Sequence, residues 1–211
     1  MFEEAIPEST RCYLALLAER GLSKPFYLAG GTAAALHMGH RISVDLDFFS
    51  PQHFNAVFLD ERLKDFPGYR QDSISEDTLL GAINKLRISF FWYRYKLLEQ
   101  PILVLETMIL GLQDLAAMKI EAIAQRNSKR DFIDLYFLAT KAGISPKKAL
   151  EYHQAKFSEY NISRSHLILS MGYFNEAENE PMPKMLEKTS WKEIKDFFSR
   201  ESRELLRELI E

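Results

Sequence analysis

The sequence predicts an α+β protein, with a small mixed sheet flanked by helices in residues 1–110 and a helical part in residues 111–211. Three features lead to this prediction. Residues 26–50 have the pattern of a strand, a glycine turn, a short helix and a second strand. Residues 84–95 are rich in β-branched and aromatic side chains, which favour strands. From residue 112 onward, apolar residues recur at helical spacing.

The first predicted helix spans residues 9–20 and ends before Gly21. A short apolar strand follows at residues 26–29, and the glycine pair Gly30-Gly31 breaks it. Good helix formers then occupy residues 32–38, and Gly39 is placed to end that helix. Residues 42–48 alternate apolar and polar side chains, as a half-buried strand does.

The next predicted helix begins with Ser50 as its cap and Pro51 in its first turn, and it ends at Pro67-Gly68. Its expected apolar side is Phe54, Val57, Phe58 and Leu63. A sheet region then covers residues 68–105, most clearly at 84–95 and 102–105.

The helical part begins with a helix at residues 113–125, which Asn127-Ser128 interrupts. A second helix resumes at residues 130–141 and ends near Gly143. A polar loop is expected at residues 175–183 and a charged helix from about residue 190.

The composition is that of a globular protein with a core, since 46% of residues are hydrophobic and 27% are charged. A net charge of −3 gives no overall attraction to nucleic acid or to an anionic membrane. The single cysteine, Cys12, excludes an internal disulfide and is typical of a reducing compartment. With no signal-peptide pattern and no membrane-length apolar run, the expectation is a soluble, cytoplasmic protein without a membrane partner.

Two aspartates on one predicted strand suggest a metal site. In Val-Asp-Leu-Asp-Phe, Asp45 and Asp47 project from one face, and Val44, Leu46 and Phe48 project from the other. Adjacent like charges repel, and a divalent cation relieves that repulsion. Mg²⁺ (or Mn²⁺) prefers carboxylate and phosphate oxygens. The alternative is that both aspartates are solvated charges on an exposed sheet face.

The glycine pair suggests a phosphate site. The first turn of a helix has unpaired N–H groups and the positive end of the helix dipole, both of which attract anions. Gly30 and Gly31 have no side chains that would block a close approach, and the Thr32 hydroxyl is a further donor. By itself a Gly-Gly pair is more often only a turn. The phosphate hypothesis is stronger when the glycine pair is taken together with Asp45 and Asp47, because a phosphate site and a metal site would then face one another.

A third group of charged residues lies in the helical part. On one continuous helix, Lys119, Arg126, Arg130 and Asp134 would occupy a narrow sector, although the break at residues 127–128 weakens that geometry. Ser128 and Asp131 have the spacing of a capping box, which gives Asp131 a structural role and leaves Asp134 for the active site. The alternative is an Arg130–Asp134 surface ion pair, which contributes little.

Cations and aromatic residues alternate in the predicted sheet. Lys85, Arg87, Arg94 and Lys96 lie among Phe90, Phe91, Trp92, Tyr93 and Tyr95. This pattern suits stacking and phosphate contacts with nucleic acid, but most of these rings are more simply explained as sheet core. The spacing of His37, His40 and His53 is not that of a metal-binding set, and these histidines are interpreted as incidental.

Two blocks of sequence resemble the AbiEii family of nucleotidyltransferase-like proteins. They are GGT at residues 30–32 with GHRISVDLDFFS at 39–50, and AAMKIEAIAQRNSKRDFIDLYFL at 116–138. That family belongs to the DNA polymerase beta superfamily and includes toxins of bacterial abortive-infection and toxin–antitoxin systems. The resemblance implies a minimal nucleotidyltransferase core, with the helical part completing the active-site cleft around an NTP and Mg²⁺.

The resemblance also implies roles for individual residues. Gly30, Gly31 and Thr32 match the glycine-rich motif, where serine is common in place of the threonine. Asp45 and Asp47 match the metal-binding pair. Lys119 matches a lysine that meets the nucleotide phosphates, and Asp134 matches a later catalytic acid. Arg126, Arg130 and Asp131 hold supporting positions in the same motif.

One departure from the superfamily concerns the base that receives the proton of the attacking hydroxyl. Many superfamily members carry a third carboxylate on a later strand, whereas the later strands predicted here contain none. Either Asp134 or Glu106, just past the second of those strands, takes this role, or catalysis proceeds without it.

The expected function is Mg²⁺-dependent transfer of NMP from an NTP to a hydroxyl acceptor. The resemblance suggests that the acceptor is an RNA end such as that of tRNA, that the protein is a toxin, and that a cognate antitoxin is its partner. One alternative is a metal-dependent glycosyltransferase, which uses a similar aspartate pair. Another is a protein of the same fold that binds NTP for regulation, without catalysis.

Overall fold

A computed structural model describes residues 1–159 and 162–210. The helices are α1 (Glu8–Glu19), α2 (Gly30–Met38), α3 (Ala56–Leu63), α4 (Leu112–Arg126), α5 (Lys129–Thr140), α6 (Pro146–Lys156), α7 (Arg164–Met171), α8 (Asn175–Glu178) and α9 (Trp191–Ile210). The strands are β1 (Tyr27–Leu28), β2 (Leu46–Ser50), β3 (Tyr69–Ser75), β4 (Thr78–Ile83), β5 (Leu86–Trp92), β6 (Ile102–Val104) and β7 (Thr107–Ile109). Among the described residues, no helix combines the length and the apolar character needed to cross a membrane.

The strands form one mixed sheet in the order β3-β4-β5-β2-β1-β7-β6. β2 lies at its centre, antiparallel to β1 and parallel to β5. The short helix α2 connects β1 to β2, as the sequence predicts, and Gly39 ends it in the left-handed conformation with a φ of 63°. The α+β class with a helical second part is confirmed.

Buried side chains form two apolar clusters. One lies mainly in the sheet and α1, with Phe48 and Phe90 fully buried at its centre. The other lies among α4 to α9, with Phe132 and Phe198 at its centre. Helix α2 contributes to both, through Leu36 to the first and Met38 to the second. The division into residues 1–110 and 111–211 stays a prediction.

Some local predictions are wrong. β2 begins at Leu46, and Val44 is exposed instead of lying on the buried face. Ser50 does not cap a helix, because its hydroxyl bonds within a turn at Gln52, and Asn55 caps α3 instead. The buried side of α3 is formed by Ala56, Leu59 and Leu63, and Val57 and Phe58 are exposed rather than buried.

Candidate active site

The glycine turn and the second aspartate are held together by main-chain pairing. β1 and β2 pair with Leu28 opposite Phe48, and the Ala29 N–H donates to the Asp47 carbonyl at 2.9 Å. Gly30 follows with a φ of +64°, and a Cβ added there would lie 2.7 Å from Asp47 Oδ2. Only glycine fits this position without strain, because it tolerates both the left-handed conformation and the close approach. The turn therefore places the start of α2 against the Asp47 carboxylate.

Asp45 and Asp47 line the same polar cavity, as their alternation along the chain predicts. Asp45 accepts two hydrogen bonds from the exposed Arg87 side chain, from Nε at 3.1 Å and from a terminal nitrogen at 2.5 Å. Asp47 lies opposite Ser89 on β5. Burial and the neighbouring Asp45 charge raise the pKa of Asp47, although a hydrogen bond with Ser89 opposes them. Two neighbouring carboxylates of this kind can bind a cation, which relieves their mutual repulsion.

Thr32 and Gly31 are both in close contact with the segment that precedes β2. The Thr32 hydroxyl is buried, lies 3.0 Å from Ser43 Oγ and donates to the Asp45 carbonyl. A side chain on Gly31 would collide with the Arg41 guanidinium. In this structure Gly31 therefore makes room for Arg41, and Thr32 fixes the main chain at Asp45.

A buried ionic cluster lies beneath the cleft, centred on Asp134. Arg41 donates to it from Nε to Oδ1 at 2.7 Å and from a terminal nitrogen to Oδ2 at 2.9 Å. His40 Nε2 lies 2.7 Å from Oδ1, and Lys119 Nζ lies 2.6 Å from Oδ2. The side chain of Asp134 is 0% exposed. His40 is therefore not incidental, which corrects the sequence interpretation.

The protonation states in this cluster follow from its charges. Burial alone would raise the pKa of Asp134, but Arg41 and Lys119 outweigh burial and hold that pKa well below its usual range. Burial lowers the pKa of His40, so the ring is neutral at pH 7. Because an ionised carboxylate only accepts hydrogen bonds, the proton of His40 is on Nε2. Burial opposes the charge of Lys119, but the carboxylates Asp131 and Asp134 give a net rise in its pKa.

Asp131 binds cations instead of completing a capping box. Its carboxylate accepts from Lys119 Nζ at 2.8 Å and from Arg126 Nε at 2.7 Å. Ser128 is the N-terminal cap residue of α5, but its hydroxyl donates to Glu180 at 2.8 Å and not within the helix. The predicted capping box is wrong, because stronger charged partners are within reach of both side chains. Burial would raise the pKa of Asp131, but Lys119 and Arg126 lower it.

The helix break predicted at Asn127-Ser128 is confirmed, and it turns the charged residues toward the sheet. Asn127 ends α4 in the left-handed conformation with a φ of 51°, and α5 begins two residues later. The Asn127 side chain donates to the Tyr173 carbonyl at 2.8 Å, which ties the break to the segment before α8. Arg126 and Arg130 thereby line the cleft from either side of the break.

These elements enclose a polar cleft of about 390 Å³. Its cationic lining residues are Arg41, Arg87, Lys119, Arg126 and Arg130, and its acidic ones are Asp45, Asp47, Asp131 and Glu180. Gly31, Thr32, Ser43, Ser89 and Ser128 complete the lining. A cleft in which cations face a carboxylate pair can bind a polyanion together with a divalent metal.

The structure brings most of the predicted site residues to this cleft but not Asp134 or Glu106. Asp134 lies behind Lys119 and Arg41 with no exposed surface, so its predicted contact with an acceptor is absent from this geometry. Glu106 lies in the turn between β6 and β7 at the far edge of the sheet. Its assignment as the base therefore has no support in the structure.

Sequence reasoning missed several residues of the cleft. Arg41 and Ser43 lie inside the resembling block, so their positions there were a usable signal. Ser89 was not singled out, and only its pairing with Asp47 across β2 and β5 reveals it. Glu180 lies in the segment predicted to be a polar loop, part of which forms α8, and no sequence signal pointed to it.

The carboxylates of the cleft fit a metal ion whose coordination shell is completed by oxygens of the substrate. In the part of the chain that the structure describes, no group of three or more His, Cys, Asp or Glu side chains is placed to hold an ion. Mg²⁺ is commonly bound by only one or two carboxylates, with phosphate and water oxygens as its other ligands. Asp45 and Asp47 meet that requirement.

The chain matches the family described as "Nucleotidyl transferase AbiEii toxin, Type IV TA system" over residues 13–104 and 95–209. The chain belongs to the AbiEii family. It is therefore a nucleotidyltransferase by family, and the predicted resemblance is confirmed. A relative in Aquifex aeolicus (strain VF5), an uncharacterized protein, is 38% identical over 190 residues, which are 88% of this chain and 90% of the relative.

Solved structures share the fold of this AbiEii protein at low sequence identity. JHP933 from Helicobacter pylori has a TM-score of 0.51 at 15% identity, with 97% of each chain covered. MenT4, the nucleotidyltransferase toxin Rv2826c from Mycobacterium tuberculosis H37Rv, has a TM-score of 0.53 at 13% identity. That match covers 91% of this chain and 83% of MenT4. The similarity extends over the sheet and the helical part together.

Proposed function

We propose that this AbiEii protein transfers NMP from an NTP to a hydroxyl acceptor, in a reaction that depends on Mg²⁺ or Mn²⁺. The observation that carries the proposal is the convergence, in one cleft, of the Asp45–Asp47 pair with Lys119 and Arg126 from α4 and Arg130 from α5. Family membership favours this reaction over the glycosyltransferase alternative.

Each group in the cleft has a role in this reaction. Asp45 and Asp47 would hold the metal, which neutralises charge on the triphosphate when it is bound. The Lys119 ammonium has three donors, and Asp131 and Asp134 use two of them. The third is available to a phosphate oxygen. Arg126 and Arg130 are exposed at the cleft and supply further positive charge. The first turn of α2, at Gly30 and Gly31, supplies N–H groups.

The chemical step exchanges one phosphorus–oxygen bond for another. The acceptor oxygen bonds to the α-phosphorus, the bond from that phosphorus to the oxygen bridging to the β-phosphate breaks, and pyrophosphate leaves. The hydroxyl proton passes to a carboxylate of the cleft or to water. For Asp134 we propose a positioning role, since it holds Lys119 and Arg41 in place and does not reach the cleft.

An RNA end, such as that of tRNA, is the acceptor we propose. The family description names a toxin of a type IV toxin–antitoxin system, which supports growth arrest as the outcome and a cognate antitoxin as the partner. Arg87 on β5 lines the cleft together with Arg126 and Arg130, and a phosphate backbone would contact this positive charge.

Transfer of radiolabel from each α-phosphate-labelled NTP to total RNA tests the proposal. The wild-type protein is expected to label RNA in the presence of Mg²⁺, whereas Asp45→Asn and Asp47→Asn reduce labelling at least about a hundredfold. Asp196→Asn, an equivalent change in an exposed ion pair of α9, is the matched control and retains full activity. No labelling by wild type with any NTP, or equal labelling by the cleft variants, would refute the proposed reaction.

A further inference from the structure

A second cavity, of about 450 Å³, adjoins the polar cleft and differs from it in character. The two share Asp47, Lys119, Arg126 and Asp131. The rest of the second cavity, called the aromatic cavity below, is mostly apolar. Its apolar lining residues are Phe49, Phe91, Tyr93, Tyr95, Leu115, Met118, Ala122 and Phe157.

The change from charged to aromatic lining occurs in one step along two paired strands. Asp47 on β2 lies opposite Ser89 on β5, and two residues further on Phe49 lies opposite Phe91. Side chains two residues apart lie on the same face of a sheet, roughly 7 Å from one another. The same sheet face therefore offers a carboxylate and a hydroxyl at one point and two aromatic rings at the next. A nucleotide has a corresponding polarity, with charged phosphates at one end and a flat base at the other.

The aromatic rings form a continuous chain along the cavity wall. Phe49 lies 5.3 Å from Phe91 and 5.1 Å from Tyr93, measured between ring centroids. Tyr93 lies 4.8 Å from Tyr95, which lies 4.7 Å from Phe157 at the end of α6. Half-buried rings in such an arrangement bind flat bases by stacking, which depends little on base identity.

A buried ion pair fixes the loop that carries two of these rings. The side chains of Lys156 and Asp114 are both 0% exposed and lie 2.5 Å apart, and Lys156 also donates to the Lys96 carbonyl at 3.0 Å. Asp114 accepts in addition from the main-chain N–H groups of Leu98 and Glu99, at 2.9 and 3.1 Å. The segment that follows Tyr93 and Tyr95 is thus anchored to α4 and α6. The cavity wall is therefore preorganised.

One polar edge of the aromatic cavity is formed by Glu121 and Gln125 of α4. Gln125 Nε2 donates to Glu121 Oε1 at 2.6 Å, and His153 Nε2 lies 2.6 Å from Glu121 Oε2. A carboxylate accepts up to about four hydrogen bonds, so these contacts leave acceptor capacity for a ligand. A carboxylate accepts readily from an exocyclic amine of a base and repels a carbonyl oxygen.

We propose that the aromatic cavity binds the nucleobase of the substrate NTP and that Glu121 selects bases with an exocyclic amine over uracil. The inference rests on the proposed function for the NTP as ligand. It adds a place for the base and a basis for choosing among NTPs.

Photolabelling locates the base without requiring any transfer. Wild-type protein is irradiated with 8-azidoadenosine triphosphate and Mg²⁺, and the labelled peptides are identified by mass spectrometry. The label is expected on the segments around Phe49, Phe91–Tyr95 or Met118–Gln125. Competition by unlabelled ATP removes it. Label confined to other segments, or no label, overturns the placement of the base.

Competition with unlabelled NTPs tests the selectivity. ATP, GTP and CTP are expected to displace the photoprobe, whereas UTP does so at least about fivefold more weakly. Glu121→Gln is expected to reduce the difference in displacement between UTP and the other three nucleotides. Glu151→Gln, at an exposed position on α6, is the control and leaves that difference unchanged. Equal displacement by all four nucleotides overturns the role of Glu121. If the photoprobe labels the aromatic cavity but no NMP is transferred to RNA, the proposed reaction is refuted and the base site is not. If NMP is transferred to RNA but the photoprobe labels other segments, only the base site is refuted.

Discussion

The buried cluster around Asp134 gives the sharpest test of what the structure adds to the sequence. Asp134→Asn preserves the shape of the side chain but removes its charge. Arg41 and Lys119, buried at 4% and 6% side-chain exposure, then lose the carboxylate they share. Breaking a buried ion pair by removing one partner costs about 3–5 kcal/mol. Because asparagine retains one acceptor oxygen, the free energy of unfolding is expected to fall by about 3 kcal/mol.

This loss is a large part of the whole stability of a domain, which is about 5–15 kcal/mol. Urea unfolding followed by circular dichroism measures it directly, and thermal unfolding is expected to show a fall in Tm of about 6–12 °C. Asp196→Asn, which removes the same charge from an exposed pair with Lys192, is the matched control and is expected to leave the urea midpoint unchanged. A destabilised Asp134→Asn protein supports the positioning role.

The pH dependence of this loss gives an independent check. Because the pKa of Asp134 is lowered in the folded protein, its stabilising contribution is complete above the unfolded value of about 3.9 and is lost as pH falls from there toward the folded value. The stability difference between wild type and Asp134→Asn is expected to stay constant from about pH 8 to about pH 5 and to narrow below about pH 4. Unchanged stability together with lost transfer would refute the reasoning and make Asp134 a catalytic residue.

Three further predictions concern the glycine turn, the cleft and the aromatic wall. Gly30→Ala is expected to lower the free energy of unfolding in urea more than Gly143→Ala does. Both glycines have a positive φ, but of the two only Gly30 would bring an added Cβ into contact with another residue, Asp47. Equal losses would contradict the close approach of Gly30 to Asp47. Arg130→Ala is expected to weaken Mg–NTP binding about tenfold in calorimetry without moving the urea midpoint, and an unchanged affinity would exclude a phosphate contact. Lys156→Met leaves Asp114 buried without its cation and is expected to cost about 3 kcal/mol in urea unfolding, whereas a neutral result would show that the pair does not anchor the loop.

The order of elements and the position of the aspartate pair could be predicted from sequence because both depend on local signals. Alternation places Asp45 and Asp47 on one side, Gly39 ends α2, and Asn127 breaks the long helix. Each of these outcomes follows from the main-chain preferences of a few neighbouring residues. The blocks that resemble the AbiEii family add Lys119 to the site, although it lies far along the chain from the aspartates.

The partners of each charge could not be predicted, because they depend on which side chains folding brings together. Ser128 and Asp131 have capping-box spacing, yet Glu180 and Lys119, both distant in sequence from their partners, form the bonds instead. Spacing along a helix describes only neighbours within one turn or two.

The sequence by itself determined the fold class, the family and the pair of aspartates at the cleft, since local pattern and motif are sufficient for those. Only the tertiary structure decided that Asp134 is buried and that Asp131 reaches the cleft, although both lie on one turn of α5. The physical reason is packing, because Arg41, which is 93 residues away in sequence, lies against Asp134 and binds it with two of its three nitrogens. Burial and ion pairing of this kind are properties of the assembled chain, not of any one segment.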